Sequence, residues 1–366
     1  MYMGLYAGCR TTAMGTMPHT DIDKALELAM SLDIPFWPQL ARLSYSEDMF
    51  VQFSRDFPGV TIDAEARRIV FSRERFQEEF AAYSERIEEP ASLAINSDVS
   101  ITYEAFLKQD LRNYHAIRGQ VTGPINLGFQ VIDEGGRPII YDEDVRGILF
   151  DFIQRKVNVQ YEQLVERNDH AFVWLDDPGF WWVFSGVTGY NDGQAAADYA
   201  EFLSGIEGPR ALHMCVNVNL PYLLDLGIDL LSVDAYQLET MPKEYAKALG
   251  RFIEGGGIVC WGIVPTEPNQ LDIESAQTLG ARLTHYWEVI VRNSGTTLRT
   301  VAEHSLLAPA RCCLKSPEAR GLPGPETCAG VDRNNGTTRT EEERLVETAF
   351  SHLKETSRIL REELGV

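Results

Sequence analysis

Short apolar runs alternate with longer amphipathic stretches along all 366 residues, with no fixed-period repeat. Strand-length runs separated by helix-length stretches imply an α/β protein, in which helices cover a largely parallel sheet. Strands are expected at Cys9 to Met14, Ile117 to Thr122, Ala171 to Leu175, Arg210 to Cys215, Leu230 to Val233, Gly257 to Trp261 and Thr300 to Leu306. Helices are expected at Asp21 to Leu32, Arg73 to Ile87, Asp142 to Glu166, Ala195 to Leu203, Pro242 to Ile253, Ile273 to Arg292 and Glu341 to Glu363. The segment Gly59 to Ser72 places two apolar runs around a polar centre and predicts an inserted β-hairpin near residues 59–72. Leu322-Pro-Gly-Pro325 and Asn334-Asn-Gly336 mark a loop before the last helix.

Polar or unusual residues gather at the ends of these runs. Gly123-Pro124 follows the second, Asp176-Asp177-Pro178-Gly179 the third, His213 and Cys215 close the fourth, and Asp234 ends the fifth. Functional groups at the carboxyl ends of successive parallel strands predict a (β/α)8 TIM-type barrel, here one domain over residues 1–366; a doubly wound sheet would group them at a single switch point.

Composition narrows the function. The formal charge of −21, from 33 Lys and Arg against 54 Asp and Glu, repels phosphate backbones and argues against nucleic acid as a partner. No run approaches the roughly 20 apolar residues of a membrane span, and no basic segment precedes the short apolar start, so a cytoplasmic, unanchored protein is expected. Six scattered cysteines form no disulfide framework; metal binding or thiolate chemistry suits those that matter, while Cys9, Cys260 and Cys328 read as small buried apolar residues.

His213-Met-Cys215 carries the sharpest chemistry. In a strand, residues i and i+2 share a face, so this pair can offer one nitrogen and one sulfur to a single centre. Zinc takes such ligands, and Cys312, in a Pro-flanked turn beside Cys313, can supply a third. Asp234, one strand on, can be the fourth, although an Asp at a strand end reads equally as a turn residue. Thiolate, imidazole and carboxylate ligands around zinc suit the activation of a thiol substrate for alkylation, whereas a structural site usually shows CxxC knuckles, absent here. Arg10 and His19 are expected at the mouth near the first strand, where they could meet a carboxylate or phosphate; solvated surface positions fit them as well. Trp37, Trp174 and Trp261 at strand ends suit either a flat pocket wall or the core.

His213-Met-Cys215, the apolar run ending in Asp234, and Pro309-Ala-Arg-Cys312-Cys-Leu-Lys315 together resemble the zinc-binding catalytic domain of cobalamin-independent methionine synthase. Met14-Gly-Thr-Met-Pro-His-Thr20, Thr122-Gly-Pro124 and Leu175-Asp-Asp-Pro178 are similar to further segments of that family, in the same order, from about residue 10 to 320. The resemblance implies a (β/α)8 barrel shared with uroporphyrinogen decarboxylase, with His213, Cys215 and Cys312 as zinc ligands and Asp234 in place of a Glu. It also implies substrate-binding roles for Thr16 and Asp176, the latter holding an amino group. The chain departs from the family in Cys313, which replaces a Gly, and in Pro38-Gln39-Leu40, where an acid for homocysteine is expected. A proton-donating His is replaced within Trp261 to Pro265. Methyltetrahydrofolate needs protonation to give up its methyl group, so the missing His favours a methyl-corrinoid protein as donor to a small thiol. Competing expectations are a metal-free barrel like uroporphyrinogen decarboxylase, with Arg10 binding a carboxylated ligand, and a non-catalytic ligand-binding protein.

Overall fold

The strand-forming runs assemble as their apolar composition requires, with both faces buried. In the computed structural model, which describes residues 5–186, 189–216, 219–312 and 339–366, ten strands form two sheets. The strands are β1 (Arg10–Thr11), β2 (Val60–Asp63), β3 (Arg68–Phe71), β4 (Ile117–Thr122), β5 (Ile132–Asp133), β6 (Ala171–Asp176), β7 (Arg210–Met214), β8 (Leu230–Val233), β9 (Ile258–Val264) and β10 (Ser305–Pro309). Seven of them make a parallel sheet in the order β1-β10-β9-β8-β7-β6-β4, curled into a half-barrel.

Alternation along each strand divides the core in two. Phe172, Trp174, Ala211, Leu230, Ile258, Cys260, Leu306 and Ala308 pack together on one face. Their neighbours Val173, Leu175, Leu212, Leu231, Val259, Trp261 and Leu307 belong to the larger cluster shared with the covering helices. The first is the inner, concave face and the second the outer, as the period-2 geometry of strands dictates.

Local chemistry starts the helices where the chain leaves a strand. Asp21 accepts from Asp23 and Lys24 N–H groups at the head of helix Ile22–Met30, and Asp142 accepts from Val145 N–H at the head of helix Glu143–Val165. Ser275 and Thr278 form a capping box before helix Ala276–Arg292. The long closing helix, Arg339–Leu364, sends Val346, Ala349, Phe350 and Leu353 into the outer core.

Three expectations need correction. Residues expected as strand from Thr300 instead begin in a helix, Leu298–Glu303, because Thr297 Oγ1 accepts from Thr300 N–H and caps it; the strand starts at Ser305. The hairpin of β2 and β3 is present and antiparallel, and gains an unforeseen third strand, β5, parallel to β3. The third concerns the closed eight-stranded ring: the regular sheet is open, with β1 and β4 as its edges. Residues 34–39 nevertheless touch both edges. Ile34 N–H donates to Thr11 O at 3.0 Å and Gln39 N–H to Gly15 O at 2.7 Å, while Trp37 N–H donates to Arg118 O at 3.3 Å. Pro35 and Pro38 lack amide protons, which explains why these bonds form no continuous ladder. Among the described residues, no helix is long and apolar enough to cross a membrane.

Candidate metal centre

The register of β6 and β7 builds the site. Asp176 lies directly opposite His213 on the adjacent strand, and His213 lies opposite Ser232 on β8. Cys215 follows one residue after β7 ends, two places from His213. Adjacent strands are spaced by about 4.8 Å, so side chains on one face at matched register converge. One ligand atom from each of Asp176, His213 and Cys215 lies within 4.8 Å of the others, a group that could hold a metal ion. His213 and Cys215 are almost completely buried.

Around this group the inner face is unusually polar. His213 Nδ1 shares a hydrogen bond with Ser232 Oγ at 2.9 Å. Its ring stacks on Trp174 with centroids 5.4 Å apart and planes 14° from parallel. The Arg118 guanidinium lies over the other partner in this stack, 3.9 Å from the Trp174 ring centroid. Arg118 is fully buried, donates to Thr12 Oγ1 at 3.1 Å and Gln120 Oε1 at 2.8 Å, and is pulled down to about 9 by burial. Burial pushes the Cys260 thiol up to about 12, so it stays protonated at neutral pH and acts as packing, as expected from sequence.

Asp177 secures the rim. Its carboxylate accepts from Asn126 N–H at 2.6 Å and Ile125 N–H at 3.3 Å, fixing the start of helix Pro124–Gln130 beside β6. Gly123 is required there, since a Cβ would come within 2.2 Å of the Asp177 carboxyl.

The remaining sequence candidates are distributed differently. Asp234 is buried at the end of β8, but it stands outside the spacing that joins Asp176, His213 and Cys215. Its carboxylate accepts from Arg311 Nε at 2.8 Å and from Gln237 N–H at 3.3 Å, the turn role that the sequence also allowed. Cys312 is also outside that spacing, partly buried against the inner cluster and adjoining the Arg311 that Asp234 holds. Cys313 and Cys328 lie outside the described residues.

Thr16 pairs by its backbone with Gln39, and His19 is buried nearby, both beyond the carboxyl end of β1. Arg10 was expected at the mouth and lies at the other end: it starts β1, donates to Tyr6 O at 2.8 Å, and its field is felt by His115, which precedes β4. Of the tryptophans, Trp261 faces outward against Trp287, and Trp37 packs on Tyr103. Sequence reasoning missed Ser232 and Arg118. Ser232 was legible in principle, two residues before Asp234 and therefore on the same face; Arg118 was hidden inside an ordinary-looking strand.

Comparison with known protein families and with curated proteins yields no match.

Proposed function

We propose that this chain is a zinc-dependent methyltransferase that delivers a methyl group to a small thiol, homocysteine or a related compound, from a methyl-corrinoid protein. We take its scaffold to be a (β/α)8 barrel in which residues 34–39 stand in the place of the eighth strand. The observation that carries the reading is the convergence of Asp176, His213 and Cys215. Oxygen, nitrogen and sulfur donors within one small volume fit zinc, which accepts all three and leaves a position open when three residues hold it. Bound there, zinc would supply the positive charge that keeps a substrate thiol ionised at neutral pH.

The chain's own residues then do the rest. Asp176 serves as a metal ligand in this arrangement rather than as the holder of a substrate amino group. Cys312, next to the segment anchored by Asp234 and Arg311, is the residue placed to join the set as a further sulfur donor. The decarboxylase-like alternative drew on Arg10 at the mouth, and with Arg10 at the amino end of β1 that support is gone.

The test is the zinc-to-protein ratio of material purified without added metal. A ratio near one that collapses in Cys215→Ser supports the reading and directs a screen of thiols against methylcobalamin. Wild-type protein that neither carries nor takes up zinc would overturn it.

A further inference from the structure

A metal-binding imidazole has two ring nitrogens, and whichever group holds one of them decides which way the other points. The inner face supplies two restraints on His213 from different strands: the Ser232 hydroxyl at Nδ1 from β8 and the Trp174 ring against its face from β6. Trp174 is itself clamped, since Arg118 covers it and is fixed in turn by Thr12 and Gln120. All of these side chains are buried, so their arrangement is set by packing rather than by solvent.

We propose that Ser232 and Trp174 are the positioning residues of His213: Nδ1–H donates to Ser232 Oγ, Trp174 fixes the plane of the ring, and Nε2 is thereby the metal-bonding nitrogen facing Asp176 and Cys215. This inference rests on the metal reading above and goes beyond it, because it assigns the tautomer and the residues that impose it. Arg118 acts one step further away, as the weight that keeps Trp174 flat. Ser232 is a small hydroxyl where an apolar residue would otherwise complete the inner layer formed by Leu230, Ile258 and Leu306.

The experiment compares wild type, Ser232→Ala, Ser232→Thr, Trp174→Leu and Cys215→Ser in three measurements: zinc affinity by competition with a chelator, the visible spectrum of the cobalt(II)-substituted protein, and the His213 tautomer by nitrogen-15 correlation NMR. Ser232→Ala removes one oxygen atom and should keep the fold, which the unfolding temperature of the metal-free protein checks. The expected result is an Nδ1–H tautomer in the wild type, a roughly 10–100-fold loss of zinc affinity in Ser232→Ala with a shifted cobalt spectrum, and recovery in Ser232→Thr. Trp174→Leu should lower affinity in the same direction. An Nε2–H tautomer, or unchanged affinity and spectrum in Ser232→Ala while Cys215→Ser abolishes binding, would overturn the positioning role and leave the metal site standing. A wild type that binds neither metal would remove both proposals together.

Discussion

The two faces of the parallel sheet are both buried, yet they are made of different chemistry. The outer face is mostly aliphatic and aromatic, with Leu212, Leu231, Val259 and Leu307 meeting helices on that side, and its buried hydroxyls are paired locally, Ser305 with Trp261 Nε1 at 2.8 Å and Thr11 with Asp33. The inner face intersperses polar side chains among its apolar residues: Asp176, His213, Ser232 and Cys260 lie opposite one another across four strands, and Arg118 lies four residues back toward the amino ends, opposite Phe172. Burying a polar group costs free energy unless it finds a partner, so a sheet selected for stability alone would have no reason to differ between its faces. The asymmetry marks the inner face as the place where polar chemistry is worth its desolvation cost.

Within the inner face, the sharpest division falls between the two carboxylates. We expect Asp176→Ala to weaken zinc binding by more than about 100-fold, a larger loss than an outlying partner of a ligand gives. Asp234→Ala should cost distinctly less, because its carboxylate is engaged by Arg311 and bears on the metal group only through the neighbouring Cys312 segment. Chelator competition on the two variants checks this; the reverse order would restore Asp234 as the ligand that the sequence suggested.

On the outer face the expectation is loss of stability without loss of metal. Leu231 is fully buried there, and Leu231→Ala should cost about 3 kcal/mol through lost burial and the cavity left behind. Urea unfolding measures the cost, and a zinc ratio equal to that of the wild type is the accompanying expectation. If Leu231→Ala also released zinc, the two faces would not be separable as described.

How much of this was legible follows from which interactions are local. His213 and Cys215 could be paired from sequence because a strand's period of two is an intrinsic property of the backbone. Helix Glu143–Val165 could be placed to within a residue because Asp142 announces it. Asp176 was legible as a strand-end acid, but its position opposite His213 was not, since that depends on the register between β6 and β7, which no residue of either strand encodes alone. The same blindness hid Ser232 and the pairing of Asp234 with Arg311, which is distant in sequence. The Thr300 error was different in kind: β-branched residues suggested a strand, and a single hydroxyl cap at Thr297 outweighed them.

A buried cation behind the outer face sharpens the contrast through pH. Lys156 is almost fully buried on helix Glu143–Val165, with the Phe152 ring 5.0 Å from its ammonium, and burial lowers it to about 8. The unfolded chain binds the proton more tightly between about pH 8 and the ordinary lysine value, so stability rises with pH across that window. Below it the buried charge is a constant cost. Lys156→Met should therefore raise stability at pH 7 by about 1–2 kcal/mol, with the gain fading as pH increases toward 10. Unfolding curves at pH 7, 9 and 10 check the sign, and a gain that grew with pH would refute the assignment.

The smallest effect is expected at Arg10, and it separates face from rim. Arg10 shares the inner face with Thr12 and pairs with Leu306 in register, but it sits at the amino ends of the strands. There its guanidinium caps the Tyr6 carbonyl and lies over the Tyr6 ring at 5.1 Å, near Arg361, whose own partner is Asp33 at 3.0 Å. The contacts of Arg10 are thus local, the closing helix being tied to the start of the chain by Arg361, which donates to Gly8 O at 3.0 Å, and none of them reaches Asp176, His213 or Cys215. Arg10→Gln should cost about 0.5 kcal/mol and leave zinc affinity and any thiol methylation unchanged. A loss of substrate affinity in that variant would mean that the inner face carries ligand chemistry along its whole length. Unchanged binding would confine that chemistry to the carboxyl rim, where Asp176, His213 and Cys215 converge because the ends of two adjacent strands, β6 and β7, bring them there.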